Sequence, residues 1–244
     1  MEFKVYNRIE TLITNATGKG TIKLNDKFEK LLSYTTIDPT SITSDDWYNY
    51  IDKAEFFDML DTNPFVLRPH NLKDASVGSG YCLFDMGKHS AAVINLSGQI
   101  YLERLNVDNP FKCVDELLER AKNDGAKFIF VDFHAEATSE KRAMGFYLDG
   151  KVSAVFGTHT HVQTADAQIL PQGTGYITDL GMTGVINSTL GVKNEIIINR
   201  LKDNDMSRFE QASGKCMFNG CIFDVDDTTG LVKDIKRIYI CDKD

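Results

Sequence analysis

The centre of the chain alternates continuous apolar runs with amphipathic stretches. The runs at residues 91–96, 127–133 and 152–156 have the length of strands that are buried on both faces, as in α/β sheets. Apolar residues recur at helical spacing over 111–123, and a second helix is predicted for 140–148. The order strand–helix–strand predicts a sheet that is covered by helices.

The last third of the chain follows a different pattern, because strands succeed one another with turns between them. Short strands are predicted there at 175–178, 195–198, 218–225 and 235–240, in addition to one at 99–102 in the centre of the chain. Residues 226–230 are typical of a hairpin turn. We therefore predict an α/β fold, a layered sandwich of two mixed sheets flanked by helices, the second sheet being antiparallel.

The first quarter is less regular. A short strand is predicted at 9–14, and helices are predicted at 26–34 and 53–60. The sequence contains no internal repeat and no Pro/Gly/Ser-rich linker, so we interpret residues 1–244 as a single domain.

Charge and cysteine content narrow the function classes. The net charge of −8 disfavours wholesale binding to nucleic acid or to an anionic membrane, since both need clustered Lys and Arg. The five cysteines are scattered and form no C-x-x-C pair, which indicates reduced thiols and a cytoplasmic protein. Apolar runs stay shorter than the roughly 18 residues that a membrane-spanning helix needs.

Three histidines stand where predicted strands end. His134 follows F-V-D-F, and His159 and His161 follow A-V-F-G-T. Binding sites in α/β sheets form at the carboxyl ends of strands, and imidazole there can bind a metal or donate to a phosphate. The alternative is that these are hydrogen-bonded histidines without a ligand. His70 and His89, in predicted turns, are interpreted as structural.

Neighbouring residues leave alternatives open. Asp132 either orients an imidazole or is a structural strand-end carboxylate. Glu136 is interpreted as a loop or helix N-terminal residue rather than a ligand. Asp179 either reaches the site or lies outside it, and we favour the second interpretation. Three glycines are interpreted as turn residues beside the site: Gly157, Gly181 and Gly184.

Two long blocks carry a family resemblance. They are I-F-V-D-F-H-A-E-A-T-S-E-K-R-A-M-G-F-Y-L-D-G at 129–150 and V-S-A-V-F-G-T-H-T-H-V-Q-T-A-D-A-Q-I-L-P-Q-G-T-G-Y-I-T-D-L-G-M-T-G at 152–184. Shorter matches are L-R-P-H-N at 67–71, A-V-I-N-L-S-G at 92–98 and N-G-C-I-F-D-V-D-D-T-T-G at 219–230. The chain thus resembles the YmdB-like metallophosphoesterases, closely over 66–244 and weakly over 1–65.

The resemblance implies a calcineurin-like phosphoesterase fold with two divalent metal ions at one edge. The implied reaction is hydrolysis of phosphoesters, with 2′,3′-cyclic nucleotides as the best-known substrates. By the motif match, His134, His159, His161 and Asn15 fall on metal-ligand positions. Imidazole suits iron, manganese and zinc, so the metal stays open.

The chain departs from the family at three positions and at its start. The family's first strand, which ends in G-D, is expected to be missing or replaced. The bridging Glu becomes Thr14, a metal-binding Asn becomes Ser44, and the catalytic His becomes Asp45. The family's Asp of G-D and its bridging Glu are thus both expected to be missing. Without these two carboxylates the charge of two adjacent cations is poorly neutralised, so we expect one metal ion per chain or none.

Two functions follow as hypotheses. The favoured one is a pseudoenzyme with little or no phosphodiesterase activity that binds a nucleotide, a small phosphoester, a single metal ion or a protein partner. The alternative is an active metal-dependent phosphodiesterase or phosphatase with a rebuilt site, for which Asp45 and its neighbour Asp46 would supply charge. An open sheet edge would also suit a homo-oligomer or another protein partner.

Overall fold

Two sheets form the molecule in the computed structural model, which describes residues 2–6, 60–62, 64–73, 75–102 and 105–242. The larger sheet has the strand order β2-β3-β4-β5-β7-β6, and in the smaller sheet β9 lies between β1 and β10 and also pairs with β8. The strands are β1 (Glu2–Tyr6), β2 (Tyr81–Asp85), β3 (Ser90–Ser97), β4 (Ala126–His134), β5 (Ala154–Thr158), β6 (Gln168–Ile169), β7 (Gly175–Ile177), β8 (Gly184–Val185), β9 (Cys216–Val225) and β10 (Val232–Cys241). The helices are α1 (Pro110–Asn123), α2 (Thr138–Leu148) and α3 (Asn194–Asp203).

The larger sheet is mixed. Its four central strands, β3, β4, β5 and β7, are parallel, and its outer strands β2 and β6 are antiparallel to their neighbours. The register sets Ser97 beside His134, and His134 beside Thr158. The carboxyl ends of three neighbouring strands therefore meet at one edge, as the sequence predicts for a site.

Side-chain alternation along β4 divides the core into two layers. Ile129, Val131 and Phe133 pack with the helices, in the cluster that contains the apolar face of α1. Phe128 and Phe130 point the other way and pack with Phe223 and other residues of the smaller sheet. A strand buried on both faces explains the near-continuous apolar run in this segment.

The helices α1 and α2 cover one face of the larger sheet. The Asn109 side chain caps α1 by accepting from the backbone N–H groups of Phe111 and Lys112. Helix α2 starts four residues after His134, so the loop between them is held close to the sheet edge. Both helices confirm the sequence prediction. Among the described residues, the helices are too short or too polar to span a bilayer.

The smaller sheet is antiparallel, as predicted. Strand β10 pairs with β9 through the turn that 226–230 was predicted to form, where the Gly230 N–H donates to the Asp226 carbonyl at 2.8 Å. Strand β1 pairs with the other side of β9, from Glu2 opposite Asp224 to Tyr6 opposite Gly220. Strands β1, β2, β6 and β8 are additions to the sequence prediction.

Two predicted strands are wrong. Residues 195–198 lie inside helix α3, which ends at Asn204 in the left-handed conformation. Residues 99–102 form a turn because the Glu140 carboxylate accepts the N–H groups of Gln99 and Ile100, which removes them from any ladder. The elements predicted at 9–14 and 26–34, and nearly all of 53–60, lie outside the described residues.

Candidate functional site

The carboxyl edge of the larger sheet brings two of the predicted histidines together. Strand β4 ends at His134, and His159 follows the last residue of the neighbouring strand β5. Nε2 of His134 and Nδ1 of His159 are 3.0 Å apart, and the two rings meet edge to face with an interplanar angle of 89°. This pair is the centre of the candidate site.

A chain of hydrogen bonds continues from each ring. On one side, Nδ1 of His134 lies 3.1 Å from the Thr158 hydroxyl, which donates to Asp132 at 2.9 Å. The other Asp132 oxygen accepts from the Asn95 amide at 2.9 Å. Asp132 therefore acts on His134 through Thr158, which supports the orienting alternative of the sequence analysis.

On the other side, Glu136 approaches the second ring. Its carboxylate oxygen lies 3.0 Å from Nε2 of His159. The sequence indicates only a loop or helix N-terminal role for Glu136, and the contact with His159 was not predicted. The two-residue spacing from His134 was the available signal, since α2 begins just after it and leaves Glu136 facing the site edge.

A buried ion pair fixes the loop that carries His159 and His161. Nζ of Lys141, on α2, lies 2.8 Å from the Asp179 carboxylate, and both side chains are almost fully buried. Asp179 also accepts the backbone N–H of Thr160 at 3.0 Å and that of Gly181 at 2.9 Å. The fully buried Asp179 side chain thus acts on the site by holding the backbone between the two histidines, a role that the sequence alone does not indicate.

The histidine loop has an unusual backbone. His159 and His161 have positive φ values of 107° and 64°, a region that residues with a Cβ rarely adopt. The surrounding bonds hold it there: Asp179 binds Thr160, and the His161 carbonyl accepts from the Met182 N–H at 2.9 Å. Strain of this kind is concentrated at functional sites.

Burial sets the protonation of the site. Desolvation lowers the pKa of His134 to about 3, with the nearby charges of His159, Lys141 and His161 acting in the same direction. Desolvation also lowers the pKa of His159, although Glu136 opposes it. The pKa of Asp132 rises to about 6 through burial, against the hydrogen bonds from Thr158 and Asn95. Both imidazoles are therefore neutral near pH 7 and hold lone pairs that a metal needs.

The pair fits one metal ion. Metal–imidazole bonds are about 2.0–2.1 Å long, so two nitrogens on one ion with a bond angle of about 90–110° lie about 2.9–3.4 Å apart. The observed separation of 3.0 Å between His134 Nε2 and His159 Nδ1 falls in this range. Within the described part of the chain, His, Cys, Asp and Glu form no cluster of three or more suited to a metal ion. The described donors thus supply two ligands of a set.

The other predicted site residues have different outcomes. His161 is close enough for its charge to lower the pKa of His134, and its role as a ligand stays a prediction. The remaining predicted positions lie outside the described residues: Thr14, Asn15, Ser44 and Asp45.

His89, which the sequence predicts to be structural, lies away from the pair. His89 packs edge-on against Phe128 in the hairpin between β2 and β3.

Of the three glycines interpreted as turn residues, only Gly181 has a positive φ, whereas Gly157 and Gly184 lie in strands β5 and β8. The turn interpretation is wrong for these two.

Known proteins share this fold and these motifs. A 2′,3′-cyclic-nucleotide 2′-phosphodiesterase from Bacillus subtilis (strain 168) is 45% identical over 227 residues, which cover 93% of this chain and 82% of that protein. A crystal structure described as a novel phosphatase from Mycoplasma pneumoniae has a TM-score of 0.72 and 34% identity, over 79% of this chain and 69% of that one. A hypothetical protein from Thermus thermophilus has a TM-score of 0.71 and 36% identity, over 79% of this chain and 73% of that one.

The similarity runs through the site described above. Relatives named as phosphodiesterases or phosphatases support a phosphoesterase fold and a divalent-metal cofactor for the family. The family model described as YmdB-like protein matches residues 4–238. These begin within β1, end within β10 and include the sheet edge that carries His134 and His159, here called the histidine edge. This chain therefore belongs to the YmdB-like protein family of metallophosphoesterases.

Proposed function

We propose that this chain binds a nucleotide or another small phosphoester at the histidine edge, with at most one divalent metal ion, and hydrolyses it slowly or not at all. The observation that carries the proposal is the 3.0 Å approach of Nε2 of His134 to Nδ1 of His159. The pair fits one ion, and by the motif match Thr14 and Ser44 stand where the resemblance implies two further ligands. We expect the protein to act in the cytoplasm.

Each residue of the site has a defined task in this proposal. His134 and His159 hold the metal ion, and His161 and Asn15 complete its ligands. A bound divalent ion supplies Lewis-acid polarisation of a phosphoryl oxygen. Asp179 and Lys141 fix the loop that presents His159. A phosphoester would bind next to these groups, and its turnover is limited because Asp45 replaces the acid.

Active hydrolysis is the second candidate. It is favoured by the 45% identity to a protein named as a 2′,3′-cyclic-nucleotide 2′-phosphodiesterase. In that case Asp45 and Asp46 would supply the charge that Thr14 and Ser44 do not.

One experiment separates the two candidates. The metal-loaded chain and the Bacillus subtilis relative are assayed side by side on 2′,3′-cyclic AMP, and binding of the nucleotide and metal content per chain are measured on the same samples. The proposal expects nucleotide binding, one metal ion or fewer per chain, and a rate at least about 10²-fold below that of the relative, since a lost general acid alone costs about 10²–10⁴-fold.

The variants His159→Ala and His89→Ala provide the matched comparison. His89 precedes Ser90, which pairs with Ala126 at the opposite end of β4 from His134, so its loss should leave binding unchanged. His159→Ala should abolish binding. Rates equal to those of the relative, lost in His159→Ala, would establish the hydrolase instead. Binding that survives His159→Ala would overturn both.

A further inference from the structure

The Thr158 hydroxyl lies between the Asp132 carboxylate and the ring of His134. It is the last residue of β5, pairs with His134 across the parallel ladder, and is 6% exposed. Its hydroxyl has two neighbours: Asp132 Oδ1 at 2.9 Å and His134 Nδ1 at 3.1 Å. A hydroxyl carries one proton, so it can donate to only one of them.

The other hydrogen bonds of Asp132 decide whether the Thr158 hydroxyl donates to Asp132 or to His134. An ionised carboxylate only accepts, and the second Asp132 oxygen already accepts from Asn95. The Thr158 proton is therefore directed to Asp132, and its oxygen lone pair faces His134. Nδ1 of His134 must then carry the ring proton, because two lone pairs would otherwise face each other. In a neutral ring this leaves Nε2 with its lone pair.

That lone pair points at the second histidine. Nε2 of His134 faces Nδ1 of His159 at 3.0 Å, and the other nitrogen of His159 faces the Glu136 carboxylate at 3.0 Å. A neutral His159 that donates to Glu136 from Nε2 also has a lone pair on Nδ1. The two lone pairs then converge, which is unfavourable without a cation between them and favourable with one.

We propose that Thr158, supported by Asp132, is the positioning residue that fixes His134 in the tautomer protonated on Nδ1 and so presents Nε2 to a metal ion. The inference rests on the proposed function, since it assigns the metal to the same histidine pair. It adds that Asp132 acts on the ligand through the neutral Thr158 hydroxyl, here called the relay, which the sequence alone does not indicate.

Isosteric variants of the full-length chain test the relay. Thr158→Val removes the hydroxyl at nearly constant volume, and Thr158→Ser retains it. Thr178→Val is the matched control, because Thr178 is also 6% exposed and also donates to a carboxylate, that of Asp166 at 2.6 Å. Asp132→Asn is a second probe: with its carbonyl accepting from Asn95, its amide would donate to Thr158 and turn the hydroxyl proton towards His134.

The readouts are Zn²⁺ affinity by calorimetric titration of the metal-free protein and the tautomer of His134 by ¹⁵N–¹H NMR of the ring nitrogens. Thr158→Val should weaken Zn²⁺ binding by about 10–100-fold, the usual effect of losing an outer hydrogen-bond partner of a ligand, and should mix the tautomers. Asp132→Asn should shift the proton to Nε2. Thr158→Ser should restore both properties, and Thr178→Val should change neither.

The two readouts separate this inference from the proposed function. If the natural chain binds Zn²⁺ and Thr158→Val binds it equally well with an unchanged tautomer, the relay is refuted while the proposed function stands. If the natural chain binds no Zn²⁺ but the tautomer is fixed and is lost in Thr158→Val, Thr158 sets the tautomer without serving a metal ion, and the inference is overturned in its metal step. The proposed function, which allows a chain without metal, fails only if the same samples do not bind the nucleotide. If Thr158→Val does not fold, Asp132→Asn decides, and an unchanged tautomer there overturns the inference.

Discussion

At the scale of single residues, glycines beside the histidine edge are required for different physical reasons. Gly181 adopts a φ of +76°, so its role is conformational. Gly157 lies within β5, and a Cβ there would stand 1.8 Å from the Thr178 carbonyl oxygen. Its role is to allow close approach between β5 and the segment after β7. Sequence alone suggests a turn for both, because absence of a side chain is the shared signal.

Alanine substitution tests the packing role of Gly157. Gly157→Ala should destabilise the protein by about 1–3 kcal/mol, the usual cost of forcing extra volume into a packed region, because the obstacle is backbone. Gly184→Ala is the control, since the nearest atom to its Cβ would be the flexible Met182 side chain at 3.6 Å. Urea unfolding measures both. Equal stability of the two variants would contradict the packing explanation.

At the scale of secondary-structure elements, the sequence predicts best where one pattern dominates. Strands β3, β4 and β9 and helices α1 and α2 have strong periodicity or continuous apolar runs, and all were predicted. Helix α3 was missed because its I-I-I run has high strand propensity, while only Ile196 of these residues is buried. Its chemistry at the ends, Glu195 in the first turn and Asn204 at the cap, was the better indicator.

Some parts of the site were predictable from the sequence in the same way, and others were not. His134 and His159 follow apolar strands, so their meeting at one edge was predictable. The Lys141–Asp179 pair was not, because it joins α2 to a loop 38 residues away and no local pattern marks a buried ion pair. Helix α2 thus contributes to the site through one buried lysine that holds the histidine loop.

Removing that lysine should be costly. Lys141→Met leaves the buried Asp179 carboxylate without its cation, and breaking a buried pair typically costs about 3–5 kcal/mol. Lys122→Met, which breaks the exposed Lys122–Glu119 pair of α1, is the control and should change stability little. Chemical denaturation gives both values. Similar small losses would mean that the Asp179 carboxylate is satisfied by the N–H groups of Thr160 and Gly181.

At the scale of the whole molecule, the fold indicates the family, whereas the set of metal-ligand residues determines how many metal ions the site can hold. The two sheets and the histidine edge follow the family over residues 4–238. The departures that we expect from the motif match, at Thr14, Ser44 and Asp45, all lie in the first quarter of the chain. A complete phosphoesterase centre needs groups from both parts, because two adjacent divalent ions require carboxylate charge that three imidazoles do not provide. Phosphoesterase activity therefore depends on whether the residues at positions 14, 44 and 45 limit the number of metal ions per chain.

Restoring the family residues tests this limit. The triple variant Thr14→Glu, Ser44→Asn and Asp45→His should raise metal content above one ion per chain and increase hydrolysis of 2′,3′-cyclic AMP by at least about 10²-fold, since it returns a bridging carboxylate and a general acid. Metal content is measured by elemental analysis and turnover on the same sample. The triple variant with His159→Ala is the control and should lose both gains. If the triple variant gains neither metal nor rate, these three positions do not limit the site, and the proposal that their loss impairs hydrolysis is wrong.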